Sequence, residues 1–287
     1  MHRYKVKKSL YFLVLIGIAL SIFWCFQTKK PVRKFSCIDL SNIGVGNIPC
    51  FEVDIEKKTF EFGLDLGLDA DLSGKKELIQ QIADKSLEKT VCMSGVRGRR
   101  YQESVYRIPD IKLEGVTFRR PLINEQHSTW EAETTFDPIE KDDRLNPIGL
   151  IGWRLFRNLV VFLNFKDSYI ALAGSIEDLK NEESIEEAVR VPLHLDHGFL
   201  EIDIQLCHRT CTCILDTGFT RNILNNHEVG FVTIEEFRIG EKQWEQTRFL
   251  QKSMNFPTQV DVILGMEFFL NHPVVIDFQK REVFFLP

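Results

Sequence analysis

The chain carries one unit twice, and that duplication restricts its fold more than any other feature of the sequence. Phe51-Glu52-Val53-Asp54-Ile55 matches Leu200-Glu201-Ile202-Asp203-Ile204, and each stretch leads through a short polar turn into an apolar run ending in Asp-x-Gly. The first run ends Gly63-Leu64-Asp65-Leu66-Gly67 and the second Ile214-Leu215-Asp216-Thr217-Gly218. A second match closes each unit. Leu150-Ile151-Gly152, continued to Phe165, aligns without gaps with Ile263-Leu264-Gly265, continued to Phe278. Phe156/Phe269, Asn158/Asn271, Val161/Val274 and Phe165/Phe278 are identical across it. One such match could arise by chance between two β-rich segments; two, in the same order, argue for duplication.

Most of the chain alternates apolar and polar residues over short runs, as in Phe51 to Ile55, Val105 to Leu113 and Phe199 to Leu206, which is the period of half-buried strands. The expected class is therefore mostly β. One stretch, Lys75 to Lys89, places Leu78, Ile79, Ile82 and Leu87 at helical spacing and predicts an amphipathic helix. Ser175 to Ala188 is acidic and poor in large apolar residues, so it reads as a solvated linker or exposed helix. The expected organisation is a basic segment with an anchor over 1–34, a first unit over 35–174, a linker over 175–189 and a second unit over 190–287.

Ser9 to Thr28 is uncharged and bracketed by Lys8 and Lys29. At about 1.5 Å per helical residue it is long enough for a bilayer core, so one N-terminal transmembrane helix is expected. A cleaved signal peptide would need small residues at a processing site, and only Gly17-Ile18-Ala19 offers them, inside an apolar run that continues past it. Basic residues flank both ends of the run, so charge barely orients it. An N-terminal anchor ahead of a long domain places that domain outside the cytoplasm, and this single-pass, extracytoplasmic arrangement is the expectation.

The segments Ile214-Leu215-Asp216-Thr217-Gly218 and Ile263-Leu264-Gly265, with their counterparts in the first unit, resemble the retropepsin and pepsin group of aspartic proteases. The resemblance spans roughly residues 46–173 and 190–287. It implies two tandem β-barrel lobes in a bilobal arrangement, each giving one Asp to a dyad of Asp65 and Asp216. It also implies a hydrophobic-hydrophobic-Gly strand, ending at Gly152 or Gly265, that crosses beneath each Asp loop. The implied activity is hydrolysis of peptide or protein substrates by a monomer, without metal or organic cofactor.

The chemistry of such a pair follows from electrostatics. Two carboxylates held close together cannot both ionise cheaply, so they share a proton and their apparent pKa values separate. One can then act as base toward water while the other polarises a carbonyl. Gly67 and Gly218 suit a tight loop that brings backbone N–H groups to the carboxylates. Thr217 supplies a hydroxyl able to bond across the axis. Leu66 departs from the pattern, standing where the family has Thr or Ser, and Asp69 and Asp71 add negative charge to the same loop. Two alternatives follow from this departure: a catalytically inactive peptide-binding protein on the same fold, or a homodimer using Asp216 from two chains.

Asp65 and Asp216 lie 151 residues apart, Gly152 and Gly265 only 113, so the first unit holds extra elements. These should include the helix at Lys75 to Lys89 and a hairpin around Val91 to Tyr106. By resemblance the hairpin is a flap candidate, with Gly95, Val96, Arg97 and Gly98 at its tip. The basic residues Arg97, Arg99 and Arg100 there could meet an acidic peptide or anionic headgroups.

Beyond the anchor lie Cys37, Cys50, Cys92, Cys207, Cys211 and Cys213. Cys207, Cys211 and Cys213 with His194, His197 and His208 match no familiar zinc spacing, so a Cys207–Cys211 cross-link or buried thiols is expected there, and no metal. With 36 Lys+Arg against 41 Asp+Glu, there is no broad basic field for nucleic acid.

Overall fold

A computed structural model describes residues 35–41, 43, 47–94, 100–126, 147–179, 185–256 and 258–287. The expected anchor, Ser9 to Thr28, and the hairpin tip, Gly95 to Gly98, lie outside them. Among the described residues no helix is long and apolar enough to cross a membrane.

The first half contributes β1 (Phe35–Asp39), β2 (Cys50–Ile55), β3 (Lys58–Leu64), β4 (Leu72–Gly74), α1 (Lys76–Gln81), β5 (Ser86–Ser94) and β6 (Arg100–Arg107). It continues with β7 (Ile111–Leu113), β8 (Val116–Phe118), β9 (Leu122–Glu125), β10 (Gly149–Ile151), β11 (Val160–Asn164) and β12 (Tyr169–Ala173). The second half contributes β13 (Val189–Pro192), β14 (Glu201–Leu206), β15 (Arg209–Leu215), β16 (Ile223–Asn225), β17 (Gly230–Ile239) and β18 (Lys242–Lys252). It ends with β19 (Val262–Leu264), α2 (Met266–Phe269), β20 (Val274–Asp277) and β21 (Glu282–Phe285). The protein is mostly β, as the alternation requires.

Strands β2 to β10 form a nine-stranded sheet ordered β5-β6-β9-β4-β10-β3-β2-β7-β8, and β14 to β19 close a six-stranded barrel. The two repeat one another. β10 runs parallel to β3 and antiparallel to β4, and β19 runs parallel to β15 and antiparallel to β16. A third, six-stranded sheet, β1-β12-β11-β20-β21-β13, joins the halves. Its centre is self-complementary: Val161 faces Ile276, Leu163 faces Val274, and Phe162 faces Val275, its own counterpart at the 113-residue spacing. A local two-fold axis therefore passes between Phe162 and Val275. Phe35–Pro287 pack as one compact unit, with Phe62, Phe156, Phe162, Phe165, Phe268 and Phe285 among its fully buried side chains.

The register corrects the sequence alignment. Cys50–Ile55 and Glu201–Leu206 share one in/out pattern, and both enter a turn with two positive φ angles, Glu56 and Lys57 in one half, Cys207 and His208 in the other. The spacing here is 151, the same as between the two Asp residues. The Phe51–Ile55/Leu200–Ile204 match is thus slipped by two residues, which a period-two strand conceals because the slip returns each side chain to the same face.

Two local expectations also change. The helix predicted over Lys75 to Lys89 is only Lys76–Gln81; Ile82 is already extended, and the Ala83 and Asp84 amides donate to the Glu56 carboxylate at 2.9 and 2.8 Å instead of continuing the helix. Leu87 lies on β5, 61% exposed. The hairpin strands begin earlier than expected, at Ser86, with β5 and β6 paired from Ser86↔Arg107 to Ser94↔Arg100. The acidic stretch 175–189 is not simply solvated: Ile176, Leu179 and Ile185 are buried against Val160, Phe162 and Val275.

Register also locates the extra elements of the first half. β4 and β16 each have a parallel neighbour, β9 and β18, itself flanked by β6 and β17. By this correspondence residues 75–104, which hold α1 and most of the β5–β6 hairpin, are replaced in the second half by the turn Asn226–Val229.

Candidate active site

Each Asp follows the last residue of a strand whose partner is the hydrophobic-hydrophobic-Gly element. Asp65 N donates to Ile151 O at 2.9 Å and Asp216 N to Leu264 O at 3.0 Å, which ties each loop to the strand beneath it. Gly152 and Gly265 have to be glycines. A Cβ on Gly152 would overlap Leu68 O and Ala70 O, and one on Gly265 would overlap Phe219 O and Arg221 O, the corresponding carbonyls of the other loop.

The two loops meet face to face. Gly67 N donates to Asp65 Oδ1 at 3.0 Å and Gly218 N to Asp216 Oδ1 at 2.7 Å. Neither glycine has a positive φ, so loop dihedrals do not explain them; space does. A Cβ on Gly67 would overlap the Asp216 carboxylate, and one on Gly218 would overlap that of Asp65. Each carboxyl thus lies against the glycine of the opposite loop, and both are buried, at 8% and 7% exposure. Burial, then the adjacent Asp216 carboxylate, holds Asp65 well above the usual carboxylate range. Burial raises Asp216 too, opposed by N–H donors from Gly218, Gly67 and Phe219. The pair can therefore keep one proton where isolated carboxyls have lost theirs.

The cross-axis grip is one-sided. Thr217 Oγ1 donates to Leu64 O at 2.8 Å and accepts from Leu66 N at 3.0 Å, so a single hydroxyl of the second half binds both flanks of Asp65. Leu66, wholly buried in the core, returns nothing. The charge that Asp69 and Asp71 bring to the loop is compensated. Arg154 binds Asp69 through Nε and Nη2, and Arg157 Nη1 lies 3.2 Å from Asp71 Oδ1. Asp71 Oδ2 also accepts from Leu122 N at 3.0 Å, fastening the loop to β9. Sequence reasoning missed these arginines, although both fall in the duplicated segment after Gly152. Their counterparts there are Glu267 and Leu270, so the alignment gave no signal.

The halves are also joined beside the first loop: Trp153 Nε1 donates to Gly198 O at 3.0 Å, and Gly198 packs on Asp69. Cys207 lies exposed in the β14–β15 turn, whereas Cys211 pairs with Ile204 on the ladder and is buried. Both are free, as is Cys213, whose thiol burial pushes well up. The Cys207–Cys211 cross-link allowed by the sequence is thus not formed. Among the described residues no group of three or more His, Cys, Asp or Glu could hold a metal ion. No protein-family model matches the chain, and no curated protein matches it either.

Proposed function

We propose that this chain is a single-chain aspartic endopeptidase of the retropepsin and pepsin type, anchored in a membrane through Ser9 to Thr28 with its catalytic body outside the cytoplasm. The observation carrying the proposal is the buried pair of Asp65 and Asp216, each carboxyl set against the glycine of the other's loop, on two equivalent loops. In the working state one proton is shared. Asp65, which burial and the adjacent Asp216 carboxylate hold well above the usual carboxylate range, is the acid, and Asp216 is the base. Water attacks the peptide carbonyl carbon, its proton passing to Asp216 while Asp65 protonates the carbonyl oxygen. The tetrahedral diol then collapses, the C–N bond breaks, and the amine leaves with a proton returned by the dyad. By the same resemblance, the β5–β6 hairpin would be the flap.

The test is peptide cleavage by the purified full chain across pH, beside Asp65→Asn and Asp216→Asn. Loss of turnover by at least about a thousandfold in both is expected; undiminished cleavage by Asp65→Asn refutes the dyad. The one-sided grip at Leu66 favours a second reading, a peptide-binding protein of the same fold that does not turn over. It predicts peptide binding with no cleavage at any pH. A site built from the Asp216 loops of two chains lacks this motive, because Asp65 already faces Asp216 within one chain.

A further inference from the structure

The two Asp loops, equal in length and anchored alike, differ in charge at three matched positions, Asp69/Thr220, Ala70/Arg221 and Asp71/Asn222, and only at the middle one, five residues after each Asp, does the second half carry the charge. Ala70 is buried in a small apolar group with Leu68, Leu150 and Ile48. The matching residues around Arg221 are Phe219, Ile263 and Phe199, which form a separate apolar group with Met254 and Phe256. Arg221 thus lies on the Asp216 loop, beside an apolar group that corresponds to the one around Ala70.

Its guanidinium is only loosely paired. The side chain is only 27% exposed, yet among the described residues its nearest charged partner is Glu267 Oε1 at 3.8 Å, beyond hydrogen-bond reach. Arg154 makes two hydrogen bonds to Asp69 and Arg157 one to Asp71; among the described residues Arg221 makes none. Glu267 Oε2 is likewise buried without a partner. A partly buried guanidinium that makes no hydrogen bond among the described residues, carried on the loop of one of the two facing carboxyls, suits an incoming carboxylate, which takes two parallel N–H bonds in a fixed geometry.

We infer that Arg221 is a specificity residue that receives a carboxylate of the bound peptide on the Asp216 side of the dyad. This rests on the peptide-cleft reading above. The carboxylate has two possible sources, an acidic side chain or the C-terminus of a short peptide.

The test uses peptides whose central amide is replaced by a non-hydrolysable reduced bond, so that binding is read independently of catalysis. Glu, Gln or Lys is placed at the two positions on either side, each peptide being made with a free and an amidated C-terminus. Affinities for the full chain are measured by titration calorimetry. Glu peptides should bind about tenfold more tightly than Gln peptides in the amidated series if a side chain is the source, and free acids about tenfold more tightly than amides if the terminus is. Arg221→Gln should abolish the preference, and Glu267→Gln, which removes the competing anion, should enlarge it. Equal affinities throughout, a preference unchanged in Arg221→Gln, or no binding at all overturns the inference. Ordinary amide peptides, assayed in parallel, separate the two claims. Carboxylate-selective binding without cleavage sinks the protease reading and leaves Arg221's role intact, whereas cleavage without selectivity does the reverse.

Discussion

Thr217→Val tests whether one hydroxyl holds the two Asp loops together. Valine keeps the shape of threonine but removes a donor and an acceptor from a residue with no solvent exposure. Leu66 N loses the acceptor at 3.0 Å, and Leu64 O loses the donor at 2.8 Å. Both flanking residues are wholly buried, so water cannot replace the lost bonds without opening the interface. Each buried polar group left unpaired costs about 1–3 kcal/mol, giving about 2–6 kcal/mol in all. For a body of this size that corresponds to a fall in Tm of roughly 4–24 °C. Thr217→Ser keeps the hydroxyl and should lose far less. The measurement is thermal unfolding of the full-length chain and both variants, followed by near-UV circular dichroism, with peptide turnover alongside. Turnover should fall more steeply than stability in Thr217→Val, because the lost bonds lie beside Asp65. A valine variant that melts within about a degree of the parent would refute the reasoning, since it would mean that the buried N–H and C=O had found other partners at no cost.

Further outcomes follow from the same geometry. Gly67→Ala and Gly218→Ala each push a methyl into the opposite carboxylate; both should abolish turnover, while Gly115→Ala, whose added methyl meets nothing, should cost only about 1 kcal/mol of stability from its positive φ and leave turnover intact, as checked by melting and kinetics. The dyad should also make stability depend on pH. A carboxyl whose folded pKa is raised keeps its proton when the unfolded chain has lost it, so its contribution is unimpaired below the ordinary carboxylate pKa and is eroded as pH rises toward the raised value. Urea unfolding should accordingly show Asp65→Asn gaining stability relative to the parent between pH 4 and neutrality; a constant difference contradicts the buried pair. A maleimide probe should label Cys207 in the native protein and Cys213 only after unfolding, as read by mass spectrometry.

The duplicated Asp-x-Gly and hydrophobic-hydrophobic-Gly segments were legible because each is defined by local chemistry: a strand end, a close approach, a glycine. Register was not. The Phe51–Ile55 and Leu200–Ile204 match looked better than the correct pairing of Cys50–Ile55 with Glu201–Leu206, because strand periodicity accepts a two-residue slip and buried Cys50 and Glu201 share no chemistry. The overlong helix at Lys75 to Lys89 came from Leu87, which completes a helical pattern by spacing alone; the Glu56 carboxylate, distant in sequence, is what captures the amides that would have extended it. The neutralisation of Asp69 and Asp71 and the loose pairing of Arg221 could be seen only once residues far apart in the chain had been brought together.

The central strand pair also governs when the carboxyl pair can exist. β11 and β20 join the halves across more than a hundred residues, so this contact is among the last the chain can make as it is synthesised. A nascent chain that has emerged only as far as β12 holds Asp65 on a completed loop with nothing opposite it. The seam at Val160 to Leu163 can close only once β20, which follows the Asp216 loop in the chain, has formed, so the facing of the two carboxyls is a late and long-range product of folding.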